Sequence, residues 1–360
     1  MRRSWLVLGL GLAILSSPSC RDKEKKNEPP PVPVDVTGLA AVPAAVRVVV
    51  GVNVEAIADA WLVERAVEQM FLRDPGLAAR VDDLITACRF DPGKDLRTLA
   101  LALGAGANQD QALMVATGNF SEPEVAACVR TSLTEDGGTL SESEVDGRRF
   151  YQASARSDRA DSVWFTFGDP KTLVVATSSA WLAEAVGKGD KVLSRQPMAG
   201  WIERADPNAG IWAAGALDEK IGRELVALVG GLVSPPRALL GHIHLKEGLA
   251  ASLSAIAASA EDAQALVALT NMQLRVGALA LQRYGLGPLV SKLTVAAEGD
   301  TLHLRLALTE EELKDVLSRI DTTPAPAQDT PSGKPASEGR EAEPDAKSDT
   351  RSPGPAAGND

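Results

Sequence analysis

The sequence predicts an α+β fold in which antiparallel, hairpin-rich sheets carry helices packed on one face. The main observation is a repeated order of two strand-like segments followed by a helix, which occurs twice on either side of residue 200. Hydrophobic residues make up 45% of the chain and aromatic residues only 4%, so Ala, Leu and Val must supply most of the core. Turn dipeptides such as Gly299-Asp300 join neighbouring strand segments and favour antiparallel hairpins.

The four units differ in sequence but share this order. In the first, "LRTLALAL" and "QALMVATGNF" precede the helix "VAACVRTSL", and in the second, "SVWFTFG" and "KTLVVATSS" precede "AWLAEAVG". In the third, "ALLGHIHL" and "AASLSAIAAS" precede a long helix over residues 260–285, and in the fourth, "KLTVAAE" and "TLHLRLALT" precede "LKDVLSRI". Ser121 with Glu124, and Thr309 with Glu312, have the spacing of a capping box at a helix start.

A helical stretch opens each half of the chain. Residues 54–72 and 79–90 have this character in the first half, and residues 218–233 have it in the second. We therefore expect two pseudo-repeated α+β halves, residues 38–200 and residues 201–320.

The N-terminus has the three parts of an export signal. Arg2 and Arg3 are positively charged, Trp5 to Leu15 are apolar, and Ser16 to Ser19 are small or turn-forming. An apolar run of this length extends about 16 Å as a helix, well short of the roughly 30 Å hydrocarbon core of a bilayer. Residues 1–19 are thus predicted to be a signal peptide.

The residues that end this signal resemble a bacterial lipobox. Cys20 and the small residue Ser19 match the pattern, whereas Ser17 stands where Leu is usual and Pro18 is atypical. The resemblance implies cleavage before Cys20 and attachment of a diacylglyceryl group to its sulfur, which would anchor the protein to a membrane. The alternative is ordinary signal-peptidase cleavage after Ser19, which would give a soluble periplasmic or secreted protein.

Two segments outside the body have low sequence complexity. Residues 20–37 hold the lipid-attachment cysteine and a charged, proline-rich tether, in which Pro29 to Pro33 favour polyproline II. Residues 321–360 contain Pro, Ala, Ser, Gly and charge, and we expect them to be disordered because they cannot bury enough apolar surface.

The whole arrangement of signal, tether and Ala/Leu/Val-rich body resembles bacterial lipoproteins of uncharacterised function. This resemblance implies a place in the cell envelope facing the periplasm. Arg21, in place of an aspartate retention signal, favours the outer membrane. The partners expected are the membrane itself, through Cys20, and an envelope protein or cell-wall component. A net charge of -11 argues against nucleic acid as a partner.

His242, His244 and His303 are the three histidines of the chain. As strand residues, His242 and His244 share one face, and His303 lies in another strand segment. If those strands were neighbours, three imidazoles could converge as the ligands of a catalytic zinc. The alternative is that they are ordinary polar residues alternating along a half-exposed sheet.

Cys88 and Cys128 both lie in segments of helical character. In an oxidising periplasm they could form a disulfide, since an even number of thiols remains after Cys20. The alternative is two separate buried thiols.

The sequence lacks the common catalytic signatures, including the nucleophile elbow and the zinc-binding H-E-x-x-H helix. We therefore predict a non-enzymatic binding or scaffolding module with no cofactor. Two other functions stay open. One is a periplasmic metal-dependent hydrolase using the three histidines, and the other is a carrier for an apolar ligand in a cleft under the long helix over residues 260–285.

Overall fold

The structure, a computed structural model, describes residues 35–108, 110–135, 137–155, 162–228, 234–282 and 287–322. The proposed signal peptide, Cys20, the tether as far as residue 34 and the tail after residue 322 lie outside these residues.

The strands of the described residues form one continuous antiparallel sheet of twelve members. They are β1 (Val46–Asn53), β2 (Leu96–Gly104), β3 (Ala112–Gly118), β4 (Thr139–Val145), β5 (Arg148–Ser154), β6 (Ser162–Asp169), β7 (Thr172–Ala176), β8 (Ile211–Ala216), β9 (Ala238–His244), β10 (Leu249–Ile256), β11 (Leu293–Glu298) and β12 (Thr301–Leu308).

Eleven α-helices connect or flank these strands in the described part of the chain. They are α1 (Val54–Ile57), α2 (Trp61–Arg73), α3 (Pro75–Ala87), α4 (Pro92–Asp95), α5 (Glu122–Glu135), α6 (Ser179–Val186), α7 (Met198–Arg204), α8 (Glu219–Leu228), α9 (Ala260–Gln282), α10 (Gly287–Lys292) and α11 (Glu310–Thr322). Within the residues described, none of them has the length and apolar character needed to cross a membrane.

The α+β fold with antiparallel hairpins is confirmed. The hairpins β2–β3, β6–β7, β9–β10 and β11–β12 are each followed by a helix, namely α5, α6, α9 and α11. The capping box before α11 is also present, because the Glu312 amide donates to Thr309 Oγ1 at 3.2 Å and the Thr309 amide donates to Glu312 Oε2 at 3.0 Å.

The strand order is β11-β12-β10-β9-β8-β1-β2-β3-β7-β6-β5-β4. Read outward from the centre, β1-β2-β3-β7-β6 has the same connectivity as β8-β9-β10-β12-β11, and the first half then adds the hairpin β4–β5. The central strands β1 and β8 pair antiparallel, so the two halves share a single sheet. The boundary expected at residue 200 falls inside α7.

Helices cover both faces of the sheet, which corrects the expectation of one covered face. The neighbouring strand residues Phe150 and Tyr151 point to opposite faces. Phe150 packs in the main core with Trp181 of α6, whereas Tyr151 packs with Ala126 of α5. Both faces need cover because these strands carry apolar residues at successive positions.

We call the side that holds the main core the packed face. Its core is formed by strand residues such as Val49, Ala102 and Leu240, covered by residues of α6 and α7. Val36 joins this core and its amide donates to the Gly168 carbonyl at 3.1 Å, so residues 35–37 belong to the body rather than to the tether. Likewise, residues 321–322 complete α11 and are not part of the tail.

Candidate binding groove

A row of apolar residues crosses eight adjacent strands on the side opposite the packed face, which we call the groove face. Each member pairs directly with the next, so all point to the same side of the sheet. We call it the apolar row, and its members are Met114, Leu101, Val50, Ala213, Gly241, Leu253, Leu304 and Val295.

Every member of the apolar row is at least partly exposed. Leu101 is 43% exposed and Leu253 is 44% exposed. An antiparallel sheet that faces water on one side normally places polar residues there. A continuous apolar strip of this kind instead indicates an interaction surface.

Helices flank the apolar row on both of its long sides, and their two clusters overlap at β9. On one side, Ala263 and Leu266 of α9 pack over Ala255 and Leu302. On the other, a cluster that contains Ile57 of α1 covers strand residues that include Ile211 and Ile243. Around β9, where both walls are present, the row therefore forms the floor of a groove.

Strand β9 shows how wide this groove is. Leu239 packs under α9 and Ile243 packs under the α1–α2 segment, while Gly241 between them stays open. Four residues along a strand span about 14 Å, and the side chains of both walls narrow this distance further.

A cavity of about 370 Å³ lies in the floor of the groove, over β8, β9, β10 and β12. Its lining includes Ala213, Gly241, Ala251, Leu253, Leu304 and Leu306. The small residues at 213, 241 and 251 create the depth, because larger side chains at these positions would fill the space. This volume lies within the usual range for ligand pockets, about 300 to 1,000 Å³.

The three histidines do not converge, which corrects the zinc-site hypothesis. Strand β10 lies between β9 and β12, so His303 is two strands, or about 10 Å, away from His242 and His244. All three lie on the packed side, since His242 pairs with the core residue Trp212 and His303 pairs with Ser254. Among the described residues, no three His, Cys, Asp or Glu side chains are placed to hold a metal ion.

Each of two histidines instead has a neighbour of its own. His244 Nε2 lies 3.1 Å from Asp206 Oδ2, and His303 Nδ1 lies 2.8 Å from Ser254 Oγ. The His242 and His244 rings are 5.3 Å apart at their centroids. Burial lowers the pKa of His242, and the neighbouring His244 lowers it further. Asp206 lies far from His244 in sequence, so sequence spacing gave no sign of this acidic neighbour.

Cys88 and Cys128 form a disulfide in the structure, with their Cα atoms 5.1 Å apart. Cys88 follows α3 directly and Cys128 lies within α5. The bond therefore joins these two helical segments.

Comparison with known proteins gives no family for this chain. No family model and no curated protein matches it. Two solved structures, crystal forms I and III of TP0453, are similar at 12% and 13% identity, each with a TM-score of 0.45. Each comparison covers 79% of this chain, and 97% and 98% of the respective TP0453 chains. At this level of similarity, no functional property of TP0453 carries over.

The groove rests on two strands that sequence reasoning missed, β1 and β8. Their residues Val50 and Ala213 form the middle of the floor. The signal in β1 is its run of β-branched residues, "VRVVVGVN", which is typical of a strand. The signal in β8, "IWAAGA", is weaker because it is short and rich in Ala and Gly.

Proposed function

We propose that this protein is a lipid-anchored, non-enzymatic binding protein of the bacterial cell envelope, and that its ligand is an acyl chain held in the groove. The observation that carries the proposal is the exposed apolar row, which lies between two helical walls at β9 and has a cavity of about 370 Å³ in its floor. The apolar row on this uncovered part of the sheet is exposed to water unless a ligand binds over it, and burying it under an apolar ligand is favourable.

The chemistry of the lining favours an acyl chain. The side chains of Ala213, Leu253, Leu304 and Leu306 are aliphatic and offer no hydrogen bonds, so they suit a ligand segment that has none to satisfy. Each buried CH2 group of such a ligand contributes about 0.8 kcal/mol.

The dimensions fit the same ligand. Seven strand spacings of about 4.8 Å make the row roughly 34 Å long. An acyl chain of one leaflet spans about half of the roughly 30 Å bilayer core, so the row is long enough to hold one such chain. A partner helix would be about 10–12 Å across. The residues of β9 that the two walls cover are only about 14 Å apart, and the wall side chains narrow this gap further, so an acyl chain fits it better than a helix.

Anchoring through Cys20 would place this groove beside a source of acyl chains. The anchoring part of the proposal rests on the signal-like N-terminus and the lipobox resemblance, together with a tether long enough to separate the body from the bilayer. The competing function, a hydrolase with three histidine ligands, loses its premise because the three rings are not brought together.

The test measures binding of a fluorescent fatty acid, cis-parinaric acid, to the purified protein and to two matched variants. Leu253→Glu places a carboxylate in the groove floor, whereas Leu193→Glu places one at an equally exposed site on another surface, 49% against 44% exposed. We expect Leu253→Glu to weaken binding by about tenfold or more, since a charge in an apolar site costs well over 1.4 kcal/mol. Leu193→Glu should bind like the unaltered protein.

A third variant, Ala213→Leu, fills the cavity without adding charge and should also weaken binding. Native mass spectrometry of protein isolated from membranes should show bound lipid in the unaltered protein and less in Leu253→Glu. Absence of binding by the unaltered protein, or equal binding by all the variants, would overturn the proposal.

A further inference from the structure

A second cavity, of about 330 Å³, lies on the groove face at the end of the apolar row that is far from α9. It is lined mainly by Phe90, Leu96, Leu99, Met114, Phe120 and Val125. Met114 belongs also to the apolar row, and Val50 and Leu101 separate it from Ala213 in the deep part of the groove. The two cavities therefore occupy different places on the same face of the sheet.

This second cavity differs from the groove in its aromatic lining. The rings of Phe90 and Phe120 meet edge to face, with centroids 6.1 Å apart and an angle of 64°. Phe120 meets Phe167 in the same manner, at 6.2 Å and 73°. Edge-to-face packing leaves ring faces available for contact. A flat aromatic ligand bound among them is stabilised by more free energy than the burial of its surface area alone provides.

A positive charge lies at the rim of this cavity. Arg89 is exposed, lines the cavity and has no hydrogen bond or ion pair among the described residues. Asn119 and Glu124 are the other polar residues of the lining. Glu124 accepts a hydrogen bond from Ser121 Oγ at 2.6 Å at the start of α5, so this carboxylate is already engaged.

The backbone of Arg89 is strained, with a φ of +53°. A side chain other than glycine in this left-handed region costs about 1 kcal/mol, and such strain concentrates at functional sites. The neighbours on both sides fix the conformation, because Cys88 is bonded to Cys128 and Phe90 packs against Phe120. The backbone of Arg89 is thereby fixed at the edge of the aromatic cavity, within reach of its side chain.

We propose that this cavity binds a compact, ring-bearing carboxylate, with its ring among Phe90, Phe120 and Met114 and its carboxylate on Arg89. The planar guanidinium offers two parallel N–H donors to a carboxylate, a pairing that also fixes ligand orientation. This site takes a different class of ligand from the acyl groove. No residue lines both cavities, and the rim of this one carries the charge of Arg89.

The test compares naphthoate with its uncharged counterpart, naphthalenemethanol, by calorimetry on the intact protein. We expect naphthoate to bind about tenfold more tightly, the preference that a charge-assisted pair worth about 1.4 kcal/mol gives. Arg89→Gln should remove this preference while leaving naphthalenemethanol binding unchanged. Arg80→Gln, which changes an exposed arginine of α3 that does not line the cavity, should keep it.

Two more variants separate the cavity from the groove. Val129→Phe fills the cavity and should weaken binding of both ring compounds, because Val129 lines it. Leu253→Glu should leave naphthoate binding unchanged, even where it abolishes fatty-acid binding. Equal naphthoate affinity in Arg89→Gln and in the unaltered protein, loss of naphthoate binding in Leu253→Glu, or no binding at all would each overturn the proposal.

Discussion

The indole ring of Trp212 lies directly over Gly51, and this contact is where the two halves of the sheet meet. Gly51 of β1 pairs with Trp212 of β8 in the central antiparallel ladder. A Cβ atom at position 51 would lie 2.1 Å from Cε2 of the ring. Trp212 is only 4% exposed, so the ring has no free space to move into.

Gly51→Ala should therefore destabilise the protein by about 3 kcal/mol, the upper end of the usual cost of overpacking a core. The reason is that a rigid, buried ring rather than the tip of a flexible side chain opposes the added methyl group. The urea midpoint of unfolding measures this effect. Gly189→Ala is the matched control, because a Cβ there meets no atom within 4 Å and should change the midpoint little. Similar midpoints for both variants would contradict the packing at the centre of the sheet.

The same contact shows why sequence predicts some parts of this fold and not others. The capping box of Thr309 and Glu312 is local, and its spacing alone reveals the start of α11. The pairing of Gly51 with Trp212 joins residues far apart in the chain, so no local pattern reveals it. The β-β-α order predicts each hairpin but not which hairpins become neighbours in the sheet. The pairing of β12 with β10, which separates His303 from His242, was therefore not predicted.

The groove, too, can be predicted only in part from the sequence. Leu253 and Leu304 lie in strands that sequence predicts, and their alternation predicts that they share a face with their second neighbours. Whether that face is covered depends on where α9 and the α1–α2 segment pack on the sheet. Since α9 covers Leu302 but leaves Leu304 open, the floor becomes visible only in the folded structure.

The Tyr151 hydroxyl donates to Glu122 Oε1 at 2.7 Å, and the Tyr151 ring stacks on Phe165 with centroids 4.7 Å apart. Burial, followed by the hydrogen bond to Glu122, raises the pKa of Tyr151 to about 12. The folded state thus keeps this proton at a pH where the unfolded chain, with a tyrosine pKa near 10, has lost it. The resulting stability is fully present below pH 10 and is lost as the pH rises from about 10 to 12.

Tyr151→Phe should remove this part of the alkaline loss of stability. At pH 8 the variant should be less stable by about 1 kcal/mol, because it lacks one hydrogen bond. Thermal melts of both proteins at pH 8 and pH 11 measure the two effects. If the difference between the two proteins were the same at both pH values, the raised pKa of Tyr151 would be excluded.

His242 should make the protein sensitive to acid. Burial first, then the nearby charges of His244 and Arg305, lower its pKa below the usual 6.5, while Asp206 opposes this shift. The unfolded chain therefore binds a proton on this ring more readily than the folded protein does. The stability that this difference contributes is present above pH 6.5 and is lost as the pH falls from 6.5 through the lowered pKa of the folded state. His303, whose pKa burial also lowers, adds to the loss.

We expect the unfolding free energy to fall between pH 7.5 and pH 5, and to fall less in His242→Gln, which carries no titrating group. Urea titrations at the two pH values give the slope for each protein. The variant should keep part of the loss, because His303 still titrates. An unchanged slope in His242→Gln would show that this ring is as accessible to protons in the folded state as in the unfolded chain.

The disulfide between Cys88 and Cys128 closes a loop over a sequence separation of 40 residues. A cross-link over a loop of that length stabilises a protein by about 2–4 kcal/mol, chiefly by restricting the unfolded chain. The double variant Cys88→Ser/Cys128→Ser should therefore unfold at lower urea concentration than the oxidised protein. Peptide mapping without reductant should recover the two cysteines in one linked fragment. Recovery of both as free thiols from protein isolated from the periplasm would rule out the bond there.

Cys20 determines whether the groove is held beside a membrane at all. If the lipobox-like residues Ser17 to Cys20 are processed as a lipoprotein signal, cells given radiolabelled palmitate should label this protein, and fractionation should recover it with membranes. Cys20→Ser should lose the label, because serine has no sulfur to form the thioether, and should leave the membrane fraction.

The intact mass of the mature protein separates the two routes of processing. Lipidation adds the mass of the acyl chains to Cys20, whereas cleavage after Ser19 by the ordinary signal peptidase leaves an unmodified cysteine at the N-terminus. A soluble, unlabelled protein would remove the anchor from the proposed function, yet the groove could still bind an acyl chain, since none of its lining residues depends on the N-terminus.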